Sequence, residues 1–304
     1  MKTRAHCPAC LSTSLKTVYS EPYCSAEIKR YFQRLYEGQA NSAANEYHFQ
    51  LVACSDCGLT FQKEIPDDRM LGEIYNEWVP GTQMESQRRD YRLDEYRYLA
   101  EQVQFIIQHF GVPPSQIPMF DFGFGWAHFS RMAMGYGCPV SGAELSEERR
   151  AHGVALGIDL IELNMLAPSK FRFINTEQVF EHLTDPREVL GLLIHALAPD
   201  GLIKISVPDA SNALKKIAGG TSFGQLSPDQ QMQVAPLEHI NSFNADSLQA
   251  FGKSMGLKPL RPSMRKLVNS ASGLLEPKAL ARTVLRPLYR HVYPRSTFMY
   301  FQHT

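Results

Sequence analysis

Four cysteines stand in two pairs near the start of the chain, Cys7-Pro8-Ala9-Cys10 and Cys54-Ser55-Asp56-Cys57. A CxxC hairpin can present two thiolates to one Zn²⁺, and two such hairpins complete a closed tetrahedral site. Gly58 after the second pair suits the left-handed turn of such a knuckle, and Pro8 stiffens the first. Further along, Asp121 ends an apolar run and is followed by Gly123, Gly125 and a helix-like pattern. Read as strand, tight turn and helix, this arrangement lets backbone approach a nucleotide-like ligand more closely than any Cβ would allow. A second apolar run, Cys138 to Ala143, ends in Glu144. It lies about 20 residues on, where an acidic side chain can hold a ribose diol.

The type of ligand follows from two positions. A dinucleotide fingerprint needs a small residue where His128 stands, so a pyrophosphate packed on the helix start is disfavoured. Asp121, just before the turn, suits a ligand carrying a cationic or amino group. Here the chain resembles the class I S-adenosylmethionine-dependent methyltransferases, whose first motif runs acid-x-Gly-x-Gly-x-Gly, with Ala127 in place of the third glycine. An ordinary βα turn using glycine for positive φ is the plain alternative for this motif alone.

The resemblance extends through Glu181-His182-Leu183-Thr184-Asp185-Pro186, Leu197-Ala198-Pro199-Asp200-Gly201 and Val207-Pro208-Asp209. These segments are similar to the "EHL-x-DP … L-x-P-x-G … VPN" succession of small-molecule methyltransferases. The match covers roughly 120–260. The front cysteines, the aromatic segment Tyr75–Trp78 and Pro236-Leu237-Glu238-His239-Ile240-Asn241-Ser242-Phe243 widen it to zinc-containing methyltransferases. Among these are the deoxysugar C-methyltransferases, in which a Glu-His pair at the corresponding motif serves catalysis.

The resemblance implies that Asp121, Gly123 and Gly125 hold the methionine end of the cofactor, Glu144 its ribose and Asn164 the adenine edge. Glu177, just past the fourth strand, falls where ligands bind in such sheets. His239 is the expected base, with Glu238 stabilising its imidazolium. His182, expected on the first turns of the next helix and facing cofactor or acceptor, is the second choice. A packing or capping role for His182, and a loop-ordering ion pair for Glu238-His239, are the plain alternatives. Three departures stand out. The fourth strand carries Arg172 where the family usually has Asp. Pro236 or Leu237 replaces an aromatic before the Glu-His pair. The additional C-terminal domain of the sugar enzymes does not follow.

These residues need elements to position them. The chain of 304 residues is 44% hydrophobic and 20% charged, which fits a globular protein with an ample core. Lys+Arg and Asp+Glu both total 31, so global charge points to no nucleic-acid or membrane partner. No apolar stretch is long enough to span a bilayer, and the first residues carry no apolar signal region. The expected compartment is a reducing cytoplasm, which favours a structural zinc over disulfides or a redox pair. Cys24 reads as a free thiol and Cys138 as core.

The expected organisation is a zinc-ribbon-like module over 1–62 and a helical linker and substrate cover over 63–112. An α/β, doubly wound Rossmann-like methyltransferase sheet follows over 113–304. The helical spacing of Tyr91, Leu93, Tyr96, Leu99, Val103, Ile106 and Phe110 predicts a helix ended by Gly111. Strands are expected at the glycine turn, before Glu144, over Ile158–Leu163, Phe171–Asn175 and Leu202–Val207, and last over Ser296–Gln302. Helices fall between them, over Glu147–Leu156 and Pro186–Leu197, and Pro199–Gly201 forms a turn. Basic residues including Arg282, Arg286 and Arg290 predict a basic amphipathic helix over 275–292, inserted near 262–295. It would be solvated cover, a lid for an anionic acceptor or a peripheral membrane contact.

The expected activity is methyl transfer to a small molecule, a carbohydrate or nucleotide-sugar/glycan precursor, with S-adenosylmethionine as cofactor and Zn²⁺ as structural metal. An RNA methyltransferase using the zinc module for binding, and a non-catalytic cofactor-binding scaffold, are the competing readings.

Overall fold

The computed structural model describes residues 1–37, 45–74, 78, 91–262, 285, 288, 292 and 296–303. Its strands in chain order are β1 (Lys2–Thr3), β2 (Leu15–Pro22), β3 (His48–Cys54), β4 (Thr60–Gln62), β5 (Glu64–Ile65), β6 (Met119–Phe122) and β7 (Val140–Ala143). They continue with β8 (Asp159–Leu160), β9 (Phe171–Glu177), β10 (Leu197–Pro208), β11 (Asn241–Ser242), β12 (Leu257–Leu260) and β13 (Ser296–His303). The chain forms two compact units, each gathered from separate stretches: 1–89, 180–187 and 207–254 in the first, and 90–179, 188–206 and 255–304 in the second.

In the first unit β2, β3, β4 and β11 form a sheet in the order β11-β4-β3-β2, and β1 pairs with β5. Helix α1 (Ala26–Tyr36) starts where Ser25 Oγ accepts from the Ile28 amide, and it ends at Glu37 in the left-handed region. Ile28, Tyr31, Phe32 and Tyr36 recur at helical spacing and are buried with Phe49, Leu51 and Trp78. Phe223, Ala235 and Leu237 belong to the same core, so a stretch beyond residue 207 shares the packing of the N-terminal strands. Helix α2 (Asp68–Glu73) begins with Asp67 as its N-cap, whose side chain accepts from the Met70 amide. Of the aromatic segment Tyr75–Trp78, only Trp78 lies among the described residues, and it is buried.

The second unit is the α/β sheet. Seven strands run in the order β12-β13-β10-β9-β6-β7-β8. Pairs β8–β7, β7–β6, β6–β9 and β9–β10 are parallel, whereas β12 and β13 pair antiparallel. Strand order therefore reverses at β6, the first strand of the unit. In open α/β sheets ligands bind beyond the carboxyl ends of the strands at such a reversal. Helix α3 (Leu93–Phe110) covers the sheet, burying Leu99, Val103, Phe105 and Ile106 with Met119 and Phe173. Gly111, at φ +63, ends it as the sequence pattern requires.

Two local expectations change. Residues Pro199-Asp200-Gly201 do not interrupt the strand: β10 runs through them, and the register shift against β9 between Leu197 and Leu202 absorbs the extra residues. Helix α6 (Pro186–Ala196), which follows α4 (His128–Gly135) and α5 (Glu147–Ala155), starts at Pro186 as expected, with Asp185 Oδ1 accepting from the Arg187 amide. His182 consequently lies in the turn ahead of α6, not on its first turns. The expected basic helix over 275–292 falls outside the described residues except Leu285, Leu288 and Val292, which are helical and exposed.

Candidate functional site

The glycine turn leaves β6 at its carboxyl end. Gly123 has φ +70 and Gly125 φ +54, backbone that L side chains rarely adopt. Their surroundings differ. A Cβ at Gly123 would sit 2.6 Å from Val179 Cγ2, whereas a Cβ at Gly125 would meet nothing within 4 Å. Gly123 therefore allows internal packing, and Gly125 leaves bare backbone beside open space, as a ligand cradle requires. Ala127 is also left-handed, at φ +60, immediately before the helix His128–Gly135.

Asp121 is buried beneath this turn. Its Oδ2 accepts from Ser130 Oγ at 2.6 Å and its Oδ1 from Asn175 Nδ2 at 2.8 Å. Desolvation pushes its pKa up to about 6, although both hydrogen bonds and Lys204 oppose the shift. The carboxylate thus holds the turn onto β9 and stores negative charge under it. Sequence reasoning did not single out Ser130 or Asn175, whose importance comes only from their reaching Asp121.

Glu144 curls back to the turn. It accepts from the Gly125 amide at 2.9 Å and from the Leu145 and Ser146 amides at 2.8 and 3.0 Å. Glu177, the last residue of β9, accepts from Ser206 Oγ at 3.1 Å and from the ammonium of Lys204. Lys204 is buried within β10. Burial pulls its pKa down, but Glu177, Tyr98 and Tyr300 outweigh that and hold it charged. Asn164 lies exposed in a single turn, Leu163–Met165.

The first unit carries two side-chain clusters. Cys7, Cys10, Cys54 and Cys57 place their Sγ atoms within 4.8 Å of one another, with Cys7–Cys57 and Cys10–Cys54 both at 3.5 Å. The edge of a tetrahedral Zn–S₄ site with bonds of about 2.3 Å is about 3.8 Å, so the four thiols fit zinc. A hydrogen bond from Cys57, outweighing desolvation, holds Cys7 down at about 5, while burial raises Cys10 to about 11. Four thiols so placed bind a divalent cation as thiolates, shedding their protons as it enters. Cys24 is exposed and Cys138 buried, as expected from their neighbours.

The second cluster is Glu181, His182 and His239, which offer ligand or proton-accepting atoms within 4.8 Å of one another. The imidazoles of His182 and His239 stand edge to face with centroids 4.8 Å apart. Burial drives both histidines toward the neutral form, His182 to about 4. The carboxylate beside them is that of Glu181, with Oε1 3.9 Å from His182 Nε2. Glu238 faces another way: its carboxylate accepts from Tyr36 OH, while its backbone oxygen lies 3.0 Å from His182 Nδ1. Burial raises the pKa of Glu238, and the Tyr36 hydrogen bond opposes that rise.

The scaffold of this cluster comes from the N-terminal strands. Asn241, two residues after His239, begins β11, which pairs with β4 through Asn241–Phe61 and Ser242–Thr60. Arg4 is buried and donates to the oxygens of Leu183, Thr184 and Ile240 and to Asn241 Oδ1. Both Glu-His segments are thus held by one guanidinium. No local signal marks Arg4, because its partners lie some 180 to 237 positions away along the chain.

A family model described as "Methyltransferase domain" matches residues 87–261. Among solved structures, the plantazolicin methyltransferase BamL, in complex with a triazolic desmethylPZN analog and SAH, superimposes with a TM-score of 0.52 at 13% identity. That likeness covers 77% of this chain and 94% of the other. The 1,6-didemethyltoxoflavin-N1-methyltransferase of Burkholderia thailandensis gives a TM-score of 0.49 at 13% identity, covering 82% and 97%. No curated protein matches the chain in sequence.

Proposed function

The chain belongs to the methyltransferase domain family, and from that membership we propose that it methylates a small-molecule acceptor, a carbohydrate or nucleotide-sugar/glycan precursor, from S-adenosylmethionine. The observation that carries the cofactor is the turn Asp121–Gly125: bare backbone at Gly125 over a buried carboxylate, at the strand-order reversal of the sheet. The sulfonium supplies an electrophilic methyl group and a thioether leaving group.

The chain's own residues have the remaining tasks. Gly123 and Gly125 admit the methionine end to the backbone. Asp121 places negative charge beneath it. Glu144 has three amide partners that a ribose diol can replace. Asn164 is the residue proposed at the adenine edge, and Glu177 lines the carboxyl end of β9. His239 takes the acceptor's proton, with His182 as the second base. The acceptor's lone pair then forms the bond to the methyl carbon, and the C–S pair stays on sulfur. Both imidazoles are neutral at rest, the form a base requires. Glu238 supports the pair through its backbone oxygen. Cys7, Cys10, Cys54 and Cys57 hold one structural Zn²⁺.

The carbohydrate acceptor is supported by the joint presence of the cysteine module and the two Glu-His segments, the layout that resembles the zinc-containing sugar enzymes. Radiolabelled methyl transfer over a panel of nucleotide sugars and other metabolites tests it. Incorporation into a sugar nucleotide, reduced at least ~100-fold by His239→Ala, is expected. Full turnover in both His239→Ala and His182→Ala would refute the base assignment.

A further inference from the structure

We propose that Glu181 is a positioning residue, the buried counter-charge that allows the His182–His239 pair to accept a proton. The inference rests on the base role given to that pair above, and it concerns a carboxylate with no assigned part in the chemistry.

Geometry comes first. Glu181 is only 1% exposed, and its Oε1 stands 3.9 Å from His182 Nε2. The backbone oxygen of Glu238 accepts from His182 Nδ1, which must therefore carry the proton in the neutral ring. The nitrogen left to gain a proton is Nε2, the one beside Glu181. His239 contributes an atom to the same 4.8 Å cluster, and its Nδ1 is buried without a hydrogen-bond partner among the described residues. Both imidazoles therefore have an atom within 4.8 Å of this one carboxylate.

The placement is built into the fold. Asn241 Nδ2 donates to the oxygens of Phe180 and Leu183 at 2.9 and 2.8 Å, and the Asn241 amide donates to the Glu181 oxygen at 3.0 Å. Arg4 holds the Leu183 and Thr184 oxygens from the other side. The dipeptide Glu181-His182 is thus held by contacts to its own and neighbouring backbone.

Energetics gives Glu181 its role. Both histidines are buried, so an imidazolium formed on either one without an adjacent negative charge would be strongly disfavoured. During transfer the acceptor's lone pair bonds the methyl carbon and the C–S pair remains on sulfur. The acceptor's proton passes to His239, and Glu181 compensates the new positive charge. The other charged or titratable groups near the pair among the described residues are engaged elsewhere. Glu238 is bound to Tyr36, and Arg4 and Asp185 act on each other across the loop 183–185.

The test uses full-length, zinc-loaded protein labelled with ¹⁵N-histidine, its imidazole signals assigned through His182→Gln and His239→Gln. Proton uptake by the two rings is followed by NMR from neutral to acidic pH. In Glu181→Gln both rings should take up protons at a pH about one unit or more lower than in the wild type, a tenfold or greater loss of proton affinity. Glu181→Asp should restore part of the shift, which a purely structural role would not do. Unchanged titration in Glu181→Gln overturns the proposal. So does metal analysis finding a second bound ion that this variant loses, since the cluster would then be a cation site. If Glu181→Gln fails to fold, the uncharged Glu181→Leu decides, with unchanged titration again fatal. Calorimetry with S-adenosylmethionine on the same samples separates the two claims. Absence of binding in the wild type defeats the methyl-transfer reading and leaves the histidine result standing.

Discussion

At Gly123 and Gly125 the same residue type does two different jobs, and substitution should separate them. Gly123→Ala adds a Cβ 2.6 Å from Val179 in a left-handed backbone, so it should cost stability, by about 2 kcal/mol in chemical denaturation. The Cβ of Gly125→Val meets no neighbour within 4 Å. The cost of this variant to the fold is that of a β-branched residue at positive φ, about 2 kcal/mol, while its side chain fills the proposed cradle. Loss of S-adenosylmethionine binding by a variant that still unfolds cooperatively is the expected result. A variant that binds normally would remove Gly125 from the site.

Asp121 gives a pH signature. Its pKa lies raised at about 6 in the ligand-free protein because it is desolvated. A cationic ligand favours the ionised form, so binding must lower that pKa. Affinity for S-adenosylmethionine should be flat above pH 6 and fall as pH drops through it, with proton release on binding near the midpoint. Calorimetry in buffers of different ionisation heat reads both effects. A pH-independent affinity over that range would exclude the role. The turn was legible in the sequence because glycine adopts φ +70 at far lower cost than other residues. Glu181 was not singled out, since nothing local distinguishes it from Glu238. The difference is made by Tyr36, some 200 residues away, which captures the Glu238 side chain.

Among the elements, the helices and parallel strands follow their periodicity closely. Helix α3 stops at Gly111, and β7 ends at Ala143, one residue before Glu144. The misread regions share a cause. The run through Pro199–Gly201 depends on strand pairing, and the turn that holds His182 ahead of α6 depends on contacts from distant Asn241 and Arg4, which apolar spacing does not encode. The cysteine knuckles also act at this scale. Cys54 ends β3, and β4 begins three residues after Cys57, so the proposed zinc ties the loop between two strands to Cys7 and Cys10. Chelation, or Cys54→Ser, should lower the thermal midpoint of the zinc-loaded protein and release one zinc per chain, measured by calorimetry and metal analysis. An unchanged midpoint after complete metal removal would show that the cluster is not structural.

For the molecule as a whole, the interleaving of its two units has no counterpart in any local pattern. Strand β11 is two residues long, yet it adds Asn241 and Ser242 to a sheet begun before residue 60. The stretch 207–254 thereby shares a unit with the cysteine module, bringing Glu238 and His239 into the unit that holds Cys7. The other unit contains the glycine turn and the seven-stranded sheet, whose reversal at β6 defines the proposed cofactor position. The balance of 31 basic and 31 acidic residues provides no electrostatic footprint for nucleic acid, which supports a small acceptor over RNA.

Isothermal titration of S-adenosylmethionine into the zinc-loaded, full-length protein tests the central claim most directly. Saturable binding of one molecule per chain, abolished by Gly125→Val and retained in Glu181→Gln, is the predicted result. No binding to folded, zinc-loaded protein would contradict the account.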